Sequence, residues 1–305
     1  MCASRPSFVT LSELHADGGM ARVTRRVGSW LVLRSPLSTP TLRRVYWRVV
    51  PPLVRRYSRT DVGRAAVPPD PYAVHWVDPA RIVRFSGRDY PPYRNRWRLF
   101  GTVRDGDWDR RSPTDLPVPP GFTLRSLFYA DRVTETPFYE AFDAHVHADV
   151  PWAETAFFVG LVELTGRDGG SWHGATTETE LLARCVRLDA VYDSMLVLGC
   201  ESQLDRARRG AARWGFLDGL ANEIVVDVAR DGELLLVSGK HRLTAALVAG
   251  LDRVPVVVLV RHADWMAHRD AVAHGEREPF DHPDLPVAGV VERKTATRPL
   301  TPAGR

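Results

Sequence analysis

The sequence predicts a mixed α/β fold, and two segments carry most of this prediction. Residues 223–260 contain three short apolar stretches typical of β-strands, with one alanine-rich helical stretch between the second and the third. Residues 177–199 have apolar side chains at three- and four-residue steps after a Thr-x-x-Glu capping box, which predicts an amphipathic helix that Gly199 ends. We therefore expect a main domain over residues 67–275.

The segment 223–260 predicts its elements one by one. Residues 223–228 alternate as a strand does, and an Arg-Asp-Gly turn connects them to a second strand at 233–238. A sharp turn then leads into a helix at 241–249, which a glycine ends. Residues 254–260 are wholly apolar, which predicts a strand in the centre of the sheet.

The N-terminal segment, residues 1–66, is expected to form a basic helical arm. Residues 1–64 contain twelve arginines and only three acidic residues. A short apolar run at 30–33 precedes apolar residues at helical spacing over 42–53, a pattern that Pro51-Pro52 is expected to interrupt. Two interpretations remain open. The helix packs on the main domain with its arginines in water, which is the commoner case, or it contacts nucleic acid or an anionic surface.

The rest of the chain has weaker patterns. We expect a short strand at 74–77, a large insertion at about 84–176 that is rich in loops over 87–121, and a short helix or loop at 200–222. The tail, residues 276–305, is polar and rich in proline, which predicts disorder.

Composition limits the class of protein. No stretch of about 18 uncharged apolar residues occurs, so no transmembrane helix is predicted. The first ten residues lack the charged and then apolar pattern of a secretory signal. The three cysteines are sparse and are not spaced as a ligand pair, which speaks against a disulfide framework or a zinc site. We expect a cytoplasmic protein, and the sequence leaves its oligomeric state open.

The turn Ser238-Gly239-Lys240-His241-Arg242 is the candidate phosphate site. The first backbone N–H groups of a helix have no partners within the helix, and the helix dipole favours an anion there. Lys240 adds a flexible point charge and Arg242 a planar fork, while His241 is suited to donate a hydrogen bond or to transfer a proton. Cations at a helix N-terminus are unfavourable unless an anion is bound. Lys240 is also one of only two lysines in the chain.

This arrangement resembles the core of the ParB/sulfiredoxin superfamily, which includes the ParB N-terminal-like nuclease domains. The likeness consists of the hairpin in 223–260, a Gly-x-x-Arg turn at 239–242, and a last strand that begins Val254-Pro255-Val256. The helix at 180–199 and the segment 74–82 resemble the helix that precedes this hairpin and the first strand of the family. The resemblance implies a ParB/sulfiredoxin-like domain with large insertions and a basic helical arm.

The motif distinguishes among the activities of that superfamily. Sulfiredoxins carry a catalytic cysteine where this chain has Lys240. Partition proteins bind CTP phosphates with a Gly-Glu-Arg-Arg turn, and their downstream Glu-Asn-x-x-Arg motif is absent here. Free-serine kinases hold ADP with a Gly-His-His-Arg turn, which is chemically the most similar. The resemblance therefore implies ATP, ADP or CTP as the ligand, with Mg²⁺ bridging its phosphates.

Further side chains are candidates for the site. Asp227 or Asp78 is expected to act as a base or a metal ligand, and Lys240 and His241 are the other catalytic candidates. The end of a central strand is where α/β sheets bind ligands, so residues that follow the last strand are candidates to border a cleft. Residues on the helix at 180–199 are also candidates, although ordinary surface positions beside the apolar stripe are the favoured interpretation for them. The possible cleft residues are Asp78, Tyr192, Asp193, Arg261 and His262.

A second pattern, Asp-x-His-x-His-x-Asp at 143–149, superficially resembles a metal site. In a strand, His145 and His147 would share one face and would be able to hold one metal ion. Packing or substrate contact is the favoured interpretation, because no strand–helix repeats of a metal-dependent hydrolase follow, and we predict no metal site formed by these residues.

Two functions are consistent with these observations. The first is an enzyme that binds a nucleotide or another phosphorylated small molecule at the turn and catalyses phosphotransfer or phosphodiester cleavage. The second is a non-catalytic module that binds DNA or an anionic surface through the arm and uses a nucleotide as a switch.

Overall fold

The computed structural model describes residues 39–94 and 96–286, and these form a mixed sheet with helices on both faces. The strands are β1 (His75–Val77), β2 (Thr102–Arg104), β3 (Ile224–Val228), β4 (Leu234–Ser238) and β5 (Val254–His262). Their order across the sheet is β1-β5-β3-β4, and β2 pairs with the end of β5. The α/β expectation is therefore confirmed.

Strand β5 is the centre of the sheet, as its apolar sequence predicts. All nine of its residues are buried. It pairs in parallel with β3 and β2 and antiparallel with β1, while β3 and β4 form the expected antiparallel hairpin. The strand also continues two residues beyond the predicted end, to His262.

The α-helices differ in how well the sequence predicts them. Within the described residues they are α1 (Pro40–Tyr57), α2 (Arg125–Phe128), α3 (Pro137–His147), α4 (Ala156–Asp168), α5 (Glu178–Leu198), α6 (Gln203–Arg209), α7 (Phe216–Ala221), α8 (Lys240–Val248) and α9 (Ala263–Ala273). The predicted capping box is present, since Thr177 and Glu180 cap α5 reciprocally. Residues 200–222 form the two short helices α6 and α7.

Side chains alternate between the two faces of the sheet and build two apolar clusters. Val226 and Val256 point to the face that α3, α4, α5 and α8 cover, and Cys185 of α5 is buried there. Val225 and Val257 point to the opposite face, which α1 and α7 cover. The sheet is thus buried on both sides, which explains why β3 and β5 have almost no polar positions.

Helix α1 packs on the body through one face, so the packed interpretation of the arm holds for that face. Tyr46 and Val54 are buried, and the Tyr46 hydroxyl accepts a hydrogen bond from the Phe216 amide at 2.9 Å. The prediction that Pro51-Pro52 interrupts the helix is wrong, because α1 runs through both prolines. Tyr46 and Val54, on either side of the prolines, pack on the body and keep the helix continuous. The apolar run at 30–33 lies outside the described residues.

The insertion at 84–176 packs into the fold and contains regular elements beside its loops. It contributes β2 to the sheet and the helices α2, α3 and α4 to the larger apolar cluster. The tryptophans of this segment contribute to the packing, since Trp108, Trp152 and Trp172 are all buried. The insertion is therefore part of the core that surrounds β4 and α8.

The expectation of a disordered tail from residue 276 is wrong for 276–286. Asp284 is 2% exposed, and its carboxylate accepts hydrogen bonds from the Arg261 guanidinium and from Trp265 Nε1 at 2.8 Å. Arg269 donates to the Asp284 carbonyl. Arg261 is fully buried on β5, so its charge requires a buried carboxylate, which the tail supplies. Residues 287–305 lie outside the described residues.

Among the described helices, none combines the length and the apolar character that crossing a bilayer requires.

Replacing Asp284 is expected to destabilise the fold strongly. Asp284→Ala leaves the buried guanidinium of Arg261 without its carboxylate, so the free energy of unfolding should fall by about 3–5 kcal/mol. Asp281→Ala is the matched control, because the Asp281 side chain is fully exposed in its ion pair with Arg81. Urea denaturation of both variants measures the difference. Equal midpoints for the two variants would contradict this role of the tail.

Candidate functional site

The turn between β4 and α8 opens onto a cavity of about 360 Å³. Ser238, Gly239, Lys240 and His241 form one wall. The opposite walls come from the insertion, chiefly from α2 and the loops on either side of it. The sequence-predicted turn therefore lies at a cavity, and the segment that was expected to be an insertion encloses it.

Gly239 fixes the direction of this turn. Its φ angle is +95°, and a Cβ atom added there would lie 2.8 Å from the Ile224 Cα atom of the neighbouring strand. Only glycine combines this backbone angle with so close an approach. Gly239 is also the N-cap of α8, makes no side-chain cap, and is followed by no acidic residue in the first turn. The first N–H groups of α8 therefore remain available to an anion.

Lys240 extends along this wall of the cavity onto two aromatic rings. Its Nζ atom lies 4.1 Å from the centre of the Phe128 ring and 4.5 Å from that of Tyr129. Among the described residues no carboxylate lies within ion-pairing distance of Nζ, and burial lowers the pKa of Lys240 to about 7. The ring faces replace part of the lost hydration of the ammonium form. This lysine therefore exchanges its proton near neutral pH.

His241 is enclosed by aromatic rings beside Lys240. Its ring centre lies 5.0 Å from that of Phe138 and 5.6 Å from that of Trp172. Its buried Nε2 atom has no hydrogen-bond partner among the described residues. Burial, together with the charge of Lys240, holds the pKa of His241 well below its usual value, so the imidazole is neutral. A bound ligand is a natural partner for this atom.

Further cations line the cavity. Arg96 donates a hydrogen bond of 2.7 Å to the Ser238 hydroxyl. Arg125 stacks its guanidinium 5.3 Å from the centre of the Tyr90 ring and bonds two backbone carbonyls of the preceding loop. None of the described residues that line the cavity is an aspartate or a glutamate. The cavity is therefore cationic, with aromatic walls.

His173 is held over the cavity by a tight turn. Trp172 and Ala175 exchange both backbone hydrogen bonds, at 3.0 and 3.1 Å, while His173 and Gly174 both have positive φ angles. A non-glycine residue with positive φ at a cavity is typical of a functional position. Burial lowers the pKa of His173 as well, so it presents a neutral imidazole.

Sequence reasoning missed Arg96, Arg125 and His173, together with the aromatic pair Phe128 and Tyr129. The only available signal was the Gly-Gly-Ser-Trp-His-Gly stretch at 169–174, which is typical of a tight turn. The two arginines lie in a chain already rich in arginine, so composition does not distinguish them.

The predicted phosphate ligand Arg242 does not line the cavity. Its guanidinium donates to the Asn222 carbonyl at 2.9 Å and to the Glu201 carbonyl at 3.4 Å, and it lies 3.5 Å from the buried Glu223 carboxylate. Arg242 points back to the strand entrance because Glu223 is fully buried and needs a positive partner. Of the five predicted turn residues, the structure brings the first four to the cavity.

The predicted catalytic carboxylate Asp227 is a structural residue in this fold. It is fully buried, and it accepts hydrogen bonds from the Ser86 hydroxyl at 2.6 Å, from Arg88 Nε at 3.0 Å and from the Val260 amide at 3.0 Å. These partners tie β3 to β5 and to the start of the insertion. Asp227 is not a wall residue of the cavity, so its assignment as a base is not supported by its position.

The cleft candidates that follow β5 are also used by the fold. Arg261 is buried and paired with Asp284. His262 lies 2.8 Å from the Gly106 carbonyl through Nε2, and its Nδ1 atom accepts a hydrogen bond from the Asp264 amide to cap α9. Both residues therefore stabilise the sheet and its neighbours, and neither lines the cavity.

The remaining cleft candidates lie elsewhere on the surface. Asp78 caps a short 3₁₀ turn by accepting a hydrogen bond from the Ala80 amide at 2.8 Å. Tyr192 packs beside Phe142, and Asp193 is exposed. None of the three candidates lines the cavity.

The histidine pair at 145 and 147 lies on helix α3, not in a strand. His145 Nδ1 lies 2.7 Å from the Val150 carbonyl, and His147 Nδ1 lies 2.9 Å from the Asp143 carboxylate. Each histidine therefore has its own local partner. The described part of the chain contains no group of three or more His, Cys, Asp or Glu side chains arranged to hold a metal ion.

Alanine at position 239 is expected to disrupt the turn. Gly239→Ala combines a positive φ angle, which costs about 1–2 kcal/mol, with a clash against the Ile224 backbone that adds about 1–3 kcal/mol. Gly250→Ala is the control, because Gly250 has a φ angle of +63° but open space around it. Thermal unfolding should show the larger loss at position 239. Equal losses would mean that the neighbouring strand yields and that the turn is not rigid.

Comparison of the chain with family models, with curated proteins and with solved structures finds no match.

Proposed function

We propose that the cavity binds a nucleotide or another phosphorylated small molecule, with its phosphate at the turn formed by Ser238 to His241. One observation carries this proposal. The open first turn of α8 and the cationic side chains of Lys240, Arg96 and Arg125 meet at one cavity, and none of the described residues that line it carries a carboxylate. An anion is the ligand that such an arrangement stabilises.

The size and the walls of the cavity fit the rest of a nucleotide. Its volume of about 360 Å³ is in the range of small-molecule sites. Aromatic side chains can stack on a nucleobase while the cations hold the phosphate. The aromatic residues that line the cavity are Phe85, Tyr90, Tyr93, Phe122, Phe128, Tyr129 and Trp172.

The likeness of the turn to that of the ParB/sulfiredoxin superfamily supports the same proposal. A glycine with positive φ lies between the second strand of a hairpin and a helix, and a lysine and a histidine follow it. The turn resembles the one with which free-serine kinases of that superfamily hold ADP. We therefore propose ATP, ADP or CTP as the first ligands to test.

The residues present do not fit a protein-bound Mg²⁺ ion. Magnesium prefers carboxylate oxygens and water, whereas none of the described residues that line the cavity carries a carboxylate, and the charged side chains among them are cations. Asp227, the carboxylate proposed from the sequence, is fully committed to Ser86, Arg88 and Val260. We therefore propose that binding needs no metal ion. Phosphotransfer or phosphodiester cleavage would require a base other than Asp227.

Nucleotide binding should depend on the charge of Lys240. In a calorimetric titration with ATP, ADP and CTP, at least one ligand should bind, and EDTA should leave its Kd unchanged. Lys240→Met keeps the side-chain length on the aromatic rings but removes the amine, so the Kd should rise by at least about tenfold, a loss of about 1.4 kcal/mol.

The control for this titration is Arg110→Ala, because the Arg110 side chain is 68% exposed and away from the cavity. Its Kd should equal that of the unaltered protein. If none of the three nucleotides binds, the nucleotide is eliminated as the ligand, and if Lys240→Met binds as tightly as the unaltered protein, the assignment of the phosphate to this turn is wrong.

The affinity should also fall as the pH rises through neutrality. The pKa of Lys240 is about 7 in the free protein, so the amine is charged below this value and neutral above it. A bound phosphate raises the pKa of this lysine. At a pH between the pKa of the free protein and that of the complex, binding is therefore accompanied by the uptake of a proton. Titrations at pH 7.0 to 9.0 in two buffers of different ionisation enthalpy measure the uptake. Lys240→Met should abolish it, and uptake that persists in this variant would assign it to another group.

A second candidate function has one specific observation in its favour. Helix α1 exposes an apolar ridge beside arginines on its solvent face, although its other face is buried. Such an arrangement is typical of helices that lie on an anionic lipid surface. Val45 is 53%, Val49 45% and Leu53 44% exposed, and the exposed neighbouring arginines are Arg44, Arg48 and Arg56.

Vesicles test this second candidate directly. The protein should co-sediment with vesicles that contain phosphatidylserine but not with vesicles of phosphatidylcholine alone, and added salt should release it. Replacing Arg44, Arg48 and Arg56 by glutamine should weaken binding by about 100-fold, at about 1 kcal/mol for each arginine. Binding that is unchanged in this variant, or absent with both vesicle types, would eliminate a lipid surface as the partner.

A further inference from the structure

The Lys240 amine lies at the wall of the cavity, where it can react with a bound molecule. Its stem leaves the first turn of α8, and its Nζ atom rests on the rings of Phe128 and Tyr129 at the cavity wall. Within the described residues, no hydrogen bond or ion pair holds this atom, whereas nearly every other buried charge in the fold is paired. The amine is therefore available to a molecule in the cavity.

Several features of this position oppose the charged form of the amine. The N-terminus of α8 is the positive end of the helix dipole, and Arg96 and Arg125 line the same cavity. The Lys240 side chain is partly buried, and no carboxylate of the described residues compensates for its lost hydration. Burial accordingly lowers the pKa of Lys240 to about 7, so the neutral amine, with its free lone pair, is accessible at neutral pH.

We propose that Lys240 forms an imine with an aldehyde or ketone that carries a carboxylate or phosphate group. The Nζ lone pair attacks the carbonyl carbon, and one of the two amine protons passes to the carbonyl oxygen. The resulting carbinolamine loses its hydroxyl group, which leaves as water with the second amine proton, and a C=N bond replaces the C=O bond. The reaction needs no oxidant or reductant, and it is the typical chemistry of a lysine that is desolvated near other cations.

The cavity restricts the class of carbonyl compound. The cations that line it beside Lys240, Arg96 and Arg125, are suited to hold an anionic group of the substrate. Its aromatic walls favour a flat or apolar body, and its volume of about 360 Å³ limits the substrate to a small molecule. This inference goes beyond nucleotide binding and does not depend on it.

Borohydride trapping tests the proposal in the full chain. Pyridoxal 5′-phosphate is a suitable probe because it combines an aldehyde, an aromatic ring and a phosphate, and benzaldehyde is its uncharged counterpart. The protein is treated with each probe at pH 7.0, reduced, digested and analysed by mass spectrometry. The chain contains only two lysines, Lys240 and Lys294, so each adduct is assigned without ambiguity.

A surface lysine provides the reference for this experiment. The variant Arg110→Lys introduces an ordinary amine at a position where the side chain is 68% exposed. In that variant we expect the phosphate-bearing probe to label Lys240 at least about tenfold more than position 110, because an ordinary lysine with a pKa near 10.4 is almost entirely protonated at pH 7. We also expect benzaldehyde to label Lys240 less than the phosphate-bearing probe.

The outcomes decide the proposal separately from nucleotide binding. Preferential labelling of Lys240, with no labelling at this position in Lys240→Met, supports it even if no nucleotide binds. Labelling of Lys240 equal to or below that of the surface lysine overturns it, even if nucleotide titrations succeed. Equal labelling by both probes overturns the requirement for an anionic group on the substrate.

Discussion

The close approach of Gly239 to the backbone of Ile224 is the constraint on which the candidate site depends. A positive φ angle at this residue turns the chain directly from β4 into α8. The absence of a side chain at Gly239 allows its backbone to approach that of Ile224. The same turn places the start of α8 and the side chain of Lys240 at the cavity wall. The sheet, through the β3–β4 hairpin, therefore fixes the position of the site.

The treatment of buried charge separates Lys240 from the other ionic residues of this fold. Asp227 is compensated by Arg88, Glu223 by Arg242, and Asp284 by Arg261, so each of these carboxylates stabilises the sheet or its edges. Lys240 rests on aromatic rings, and no described carboxylate pairs with it. Because the buried carboxylates of the described residues are paired, this unpaired amine at the cavity is available for a ligand or for chemistry.

Local patterns predicted the parts of the fold that depend on neighbouring residues in the chain. The hairpin, helix α8 and strand β5 follow from alternation and turn residues within 223–260, and the capping box gave the start of α5. The same reasoning placed Gly239 and Lys240 in the site. Helix α1 was predicted, but its continuation through Pro51-Pro52 was not, because packing on α7 outweighs the missing hydrogen bonds.

Long-range contacts account for what the sequence did not predict. Arg242 and Asp227 have side chains that suit a phosphate site, but their orientation is set by partners far away in the chain, such as Ser86 and Glu223. Arg96, Arg125 and His173 reach the cavity only because the insertion folds over α8. Because no local spacing in the sequence encodes that arrangement, sequence patterns predicted the turn but not the residues that form the opposite walls of the cavity.

The most direct test of this account is a pH titration of the lysine side chains by NMR. With ¹³C-labelled lysine the chain gives two side-chain signals, and the variant Lys240→Met assigns them. The account predicts that the signal of Lys240 titrates with a midpoint near pH 7, far below the usual value for lysine of about 10.4. A midpoint near the usual value would contradict it, because the amine would then be an ordinary solvated cation.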